Sequence, residues 1–179
     1  GILLHPTSLP GAHGIGDFGN FTTRFFSFLA RSGMRYWQML PLMAPGAGNS
    51  PYSATSSFSG NPWLVDLQLL QKAGLLDKED LQAPPFPLDH VDFPKMRRFK
   101  GARLEKAARA FVDDTTHPWR RGFQDFRERE AWVKDDALFH ALRGHYKKPW
   151  WEWESDIRNR EDAACLSAEI EFAREMDKY

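Results

Sequence analysis

Two short apolar runs frame one amphipathic helix at the start of this 179-residue chain, and that order constrains its fold more than any other feature. Ile2, Leu3 and Leu4 form the first run, closed by Pro6 and the Pro10-Gly11 turn signal, and read as a buried strand over 1–5. Asn20 can cap a helix in which Phe21, Phe25, Phe28 and Leu29 recur at three-and-four spacing, with Gly33 placed to end it. Tyr36 to Leu40 forms the second run, closed by Pro41. The crossover is long enough for the strands to lie parallel, so residues 1–40 predict one β-α-β unit of an α/β fold.

The remainder is of a different kind. From 42 to 62 the chain is dominated by Gly, Ser, Pro, Ala and Asn, a loop long enough to suggest a functional role. Asp66 can cap a short helix stopped by Gly74, and Asp77 can start a further turn before Pro84-Pro85. Helical patterns then cover about 95–112, 119–129, 131–145 and 161–178; in the first, Met96, Phe99, Leu104, Ala107, Ala108 and Phe111 form a core-facing stripe. No third strand is legible. Two strands leave raw edges and cannot form a stable layer alone, so more sheet is expected beyond residue 179. The opening at Gly1, directly on an apolar run, gives the same expectation of an excerpt.

Charge narrows the partners. Lys plus Arg number 24 and Asp plus Glu number 24, leaving no net field to draw nucleic acid or an anionic membrane surface. No run approaches the roughly 20 apolar residues of a spanning helix, and no secretory leader pattern opens the chain. Cys165 is the only cysteine, which excludes an internal disulfide framework and suits a reducing compartment. A cytoplasmic protein is expected.

Four segments carry chemistry worth weighing. Gly14-Ile15-Gly16-Asp17-Phe18-Gly19 has the GxGxxG form of a dinucleotide loop. Against that, the preceding loop is too long, Asp17 puts a negative charge where phosphate would sit, and the second strand carries no ribose-binding acid. Asp89-His90-x-Asp92 lacks a second cluster at ligand spacing, so no metal site is assigned. Lys148-Pro149-Trp150-Trp151-Glu152-Trp153 offers flat rings that could stack on sugars, but burial between helices is the favoured reading, with Trp151 left as a test. Asn49-Ser50-Pro51-Tyr52 offers an amide and a hydroxyl beside a ring held by proline, against a bland reading as a polar turn.

Taken together, Gly1 to Gly11, Gly14 to Gly19, Tyr36-Trp37-Gln38-Met39-Leu40-Pro41-Leu42, Ser50-Pro51-Tyr52 and Ser59-Gly60-Asn61-Pro62-Trp63-Leu64-Val65-Asp66-Leu67 resemble the amylomaltase family, glycoside hydrolase family 77. The resemblance is strong over residues 1–75 and resumes at Lys148 to Arg160. It implies the N-terminal part of a (β/α)8 TIM barrel: strands 1 and 2 in residues 1–75 with a substrate-binding loop at 42–62, and a mainly helical inserted subdomain over 76–179. It further implies 4-alpha-glucanotransferase activity in the parent protein, by a retaining double displacement on maltooligosaccharides or α-glucan, needing neither metal nor organic cofactor. Ser50 would bond sugar hydroxyls, Tyr52 would pack on a glucose ring, and Asn61 would hold the loop; Asn49, from the chemistry of its amide, is taken as a third substrate-binding residue. No residue matches the three catalytic carboxylates, so the chain alone is expected to be inactive. Ala47 stands where several family members have an aromatic of a second glucan site, which puts that site in doubt. The resemblance assigns no oligomeric state.

Two rivals remain open. One is a stand-alone maltooligosaccharide-binding module using Tyr52 and the Trp150 to Trp153 segment. The other is a helical interaction domain built on 95–178.

Overall fold

The computed structural model describes residues 1–179, the side chain of Ala47 excepted; the expectation attached to Ala47 therefore lies outside the described residues. The chain folds as two compact units, Gly1–Ala107 and Ala108–Tyr179. No described helix is long and apolar enough to cross a membrane.

In the first unit β1 (Ile2–Leu3) and β2 (Trp37–Gln38) pair in parallel, with Ile2 opposite Trp37 and Leu3 opposite Gln38. The ladder is shorter than the two apolar runs because each strand has a single neighbour. Between them runs α1 (Asn20–Arg31), so the β-α-β order holds. Its cap differs from the expectation. Asn20 is already helical and Gly19 holds the cap position, where a Cβ would come within 2.4 Å of Asp66 Oδ2. Two carboxylates crowd that helix end, and glycine leaves them the room. Of the expected stripe, Leu29 is buried and Phe25 half-buried, whereas Phe21 and Phe28 are exposed, as is Phe26 beside them. Trp37 covers Phe25 and Phe26 edge-on at 4.9 and 5.2 Å, and a two-stranded sheet has no further surface to offer.

The 42–62 segment is ordered rather than free. Met43 and Gly60 form one antiparallel bridge and Pro45 and Ala54 another, tied by Gly46 N–H to the Ser53 carbonyl and Asn61 N–H to the Leu42 carbonyl. The result is a hairpin-like loop closed at its base by Asn61, whose Oδ1 accepts from Trp63 N–H at 3.0 Å. Asp66 then caps α2 (Leu67–Lys72) by accepting from Gln68 N–H at 2.8 Å, and Gly74 ends it at φ +79°. Asp92 accepts from Lys95 N–H at the start of α3 (Phe93–Asp113), while Asp89 pairs with exposed His90. Asp92 is thus a helix cap, and Asp89 and His90 a surface pair.

The second unit holds α4 (Arg120–Arg129), α5 (Trp132–Tyr146), α6 (Ser155–Arg158), α7 (Asp162–Glu171) and α8 (Ala173–Met176). The single helix expected over 161–178 breaks at Phe172, whose ring lies 5.0 Å from His145. Leu138, Leu142, Trp153, Ile157, Ala168 and Met176 form the core. The tryptophan segment divides: Trp153 is buried at 6% exposure, while Trp150 and Trp151 are 49% and 59% exposed. Burial, favoured for all three, holds for Trp153 alone, because only its indole N–H finds a carbonyl inside, that of Lys148 at 3.1 Å.

Candidate functional site

The loop leaving β2 sits over a cavity of about 190 Å³ bordered by His5, Pro41, Asn49, Asn61, Trp63 and Phe93. Three of these carry polar side chains on a largely apolar wall, the composition of a small-ligand pocket. The Pro41 carbonyl can only accept, so His5 Nε2 carries the proton that it donates at 3.3 Å. That tautomer leaves Nδ1 to accept from the Thr7 hydroxyl at 2.7 Å and from Thr7 N–H at 3.3 Å. His5 therefore pins the end of β1 to the end of the second apolar run.

The structure brings the three sequence-predicted residues onto one turn but gives them different settings. Asn49 borders the cavity in a left-handed conformation, φ +60°, which asparagine tolerates better than most residues. Arg97 Nη2 donates to its Oδ1, leaving the Nδ2 amide as the donor still available. Ser50 is half-buried and its Oγ accepts from Tyr52 N–H at 3.3 Å, so the hydroxyl keeps its own proton to give. Tyr52 projects from the turn with 74% of its surface exposed. Arg97 was not legible as part of this site, because its partner lies 48 positions earlier.

A buried polar cluster braces the same unit. Lys100, with no solvent exposure, donates to the carbonyls of Trp63 and Val65, each at 2.7 Å, and to Asp17 Oδ2 at 3.3 Å. Asp17 Oδ1 accepts from Gly19 N–H, and the Asp17 carbonyl accepts from Thr22 Oγ1 at 2.6 Å. Burial pushes the Asp17 carboxyl up and the Lys100 ammonium down, each opposed by the other's charge. His13, Asp17 and Asp66 each place one ligand atom within 4.8 Å of the others, which is metal-site spacing. Lys100 already supplies the cation there, so the cluster acts as a staple between α3 and the segments before α1 and α2. The GxGxxG glycines have a packing role: a Cβ at Gly16 would lie 2.1 Å from the Pro6 carbonyl oxygen, and Asp17 is committed to Lys100.

The profile of a family described as 4-alpha-glucanotransferase matches residues 4–179. The 4-alpha-glucanotransferase of Thermus thermophilus is 44% identical over 178 residues, covering 98% of this chain and 35% of that protein. The chloroplastic/amyloplastic 4-alpha-glucanotransferase of Solanum tuberosum is 36% identical over 172 residues, covering 92% of this chain and 30% of that protein. Among solved structures, the amylomaltase from Streptococcus agalactiae in complex with acarbose superposes with a TM-score of 0.89 at 35% identity, over 99% of this chain and 36% of that one. The chain thus spans about a third of the length of the curated relatives it matches.

Proposed function

Because the chain belongs to the 4-alpha-glucanotransferase family, we propose that it is part of an enzyme that moves α-1,4-glucan segments between maltooligosaccharides by retaining double displacement. Residues 1–75 supply strands 1 and 2 of a (β/α)8 barrel, and 76–179 the mainly helical insertion that leads back to it. The parallel β1–β2 pair supports this, as do Phe21, Phe26 and Phe28, left bare on α1 where neighbouring barrel elements would cover them. In such barrels the loops at the C-terminal ends of strands carry the site, and the 42–62 loop comes directly after that end of β2.

On this reading Tyr52 lies against a glucose ring, Ser50 donates its free hydroxyl proton to a sugar oxygen, and Asn49 offers its amide hydrogens. Acarbose, named with the Streptococcus agalactiae amylomaltase, is consistent with an oligosaccharide ligand here. The nucleophile, the proton donor and the stabilising acid of the reaction belong to the longer protein. This chain contributes binding that holds the reacting bond in place, and is inactive alone. A cytoplasmic place rests on the lone Cys165, while the Solanum tuberosum relative is named as chloroplastic/amyloplastic.

The observation that carries the proposal is an aromatic ring, 74% exposed, on a turn whose base is tied down by backbone bridges. The test is glucose release from maltotriose by the complete protein with and without Tyr52→Ala and Ser50→Ala. Transfer unchanged in both variants would remove this loop from the site.

A further inference from the structure

A second cavity, of about 240 Å³, opens within the second unit among α5, α6 and α7. Its apolar side is formed by Leu138, Leu142, Ile157 and the fixed ring of Trp153, which stacks on Tyr146 at 5.4 Å. Trp150 stands at the wall, half out in solvent and braced edge-on by Trp151 at 6.0 Å. The polar side carries Arg158, which donates to the Trp151 carbonyl at 3.3 Å, and Arg160, which meets Asp135 at 2.7 Å.

Three features select the ligand. An exposed indole beside an apolar floor suits the C–H face of a sugar ring. An Asp–Arg pair presents an acceptor and donors side by side, as vicinal hydroxyls require, and Asp135 repels a bare anion that two arginines would otherwise attract. The volume is below the roughly 300 Å³ at which drug-sized pockets begin, enough for one ring with its chain neighbours outside.

We propose that this cavity binds a single glucose unit of an α-glucan, Trp150 stacking on the ring and the Asp135–Arg160 pair bonding its hydroxyls. It is built from residues 135–165 alone and shares no residue with the 42–62 loop. It rests on the glucan-transfer reading only for the choice of sugar.

Cys165, the chain's only cysteine, borders the same cavity and serves as a reporter. The rate of alkylation at Cys165 of the complete protein, read on the peptide that carries it before transfer depletes the sugar, is measured against maltotriose concentration. A sugar that covers the thiol leaves about one third of the original rate when its concentration is twice the dissociation constant. Saturable slowing that is lost in Trp150→Ala and Asp135→Asn but kept in Tyr52→Ala supports the site, with melting curves confirming that each variant is folded. A rate indifferent to maltotriose overturns it, as does protection that survives Trp150→Ala or is produced by inorganic phosphate instead. Glucan transfer by Tyr52 variants of the complete protein is read separately, so either idea can fail without the other.

Discussion

Lys100 and Asp17 stand 83 positions apart in sequence and meet at 3.3 Å where the lysine has no solvent exposure. The ammonium also reaches two carbonyls on the approach to α2, so its three donors are all used. A satisfied buried pair of this kind contributes little net stability against an apolar replacement, yet losing one partner is costly because the other charge stays inside. Its effect here is to fix where α3 lies against the loop that precedes α1.

Lys100→Met should therefore lower stability by about 3–5 kcal/mol, since Asp17 and two carbonyls lose their donor together. Urea unfolding measures it. Lys100→Met with Asp17→Asn should recover part of the loss, and a single variant with an unchanged midpoint would contradict the staple.

Acid should weaken the fold through His13. Burial first, then the nearby Lys100 charge, hold its pKa below the ordinary 6.5. As pH falls through 6.5 the unfolded chain takes up the proton before the folded one, so stability declines with falling pH. His140, lowered mainly by burial, acts with the same sign. The raised Asp17 carboxyl acts the opposite way, in the window above 3.8. Melting temperatures from neutrality down to about pH 5 should slope less in His13→Gln than in the parent; equal slopes would argue that His13 is not kept neutral.

Gly16→Ala should destabilise by about 3 kcal/mol, the upper range for overpacking. The added carbon would meet backbone oxygens of Pro6 and Leu9 at 2.1 and 2.6 Å, and backbone cannot swing aside. Thermal unfolding of the variant is the check.

Trp153 and Trp151 should separate by burial. Trp153→Ala removes a core ring and should cost about 3–5 kcal/mol, whereas Trp151→Ala should stay within about 0.5 kcal/mol of the parent. Comparable losses in both would mean that Trp151 is buried in solution.

In the complete protein Tyr52→Ala should reduce kcat/KM for maltotriose by about 10-fold, corresponding to about 1.4 kcal/mol of lost ring contact. The melting temperature should hardly move, because the side chain is 74% exposed. A large fall in melting temperature would recast Tyr52 as part of the loop's own packing.

Much of the candidate site is legible in the sequence. Asn61 and Asp66 cap the turns they precede, and Asn49, Ser50 and Tyr52 share one turn, because such roles depend on residues two or three positions away. Arg97 on Asn49 and His5 on Pro41 are not legible. Neither pairing leaves a periodicity or a spacing, and either polar residue could equally have faced water.

The same division runs through the fold. The order of strand, helix and strand, and the helical character of the rest, lie in the chain itself because apolar spacing, caps and breakers act over single turns. Which of Trp150, Trp151 and Trp153 goes inside, why Gly19 rather than Asn20 holds the cap of α1, and how Lys100 comes to be buried on Asp17 arose only when distant segments met. A buried charge is tolerable only beside its partner, and it is the packing of the whole first unit that brings the two together.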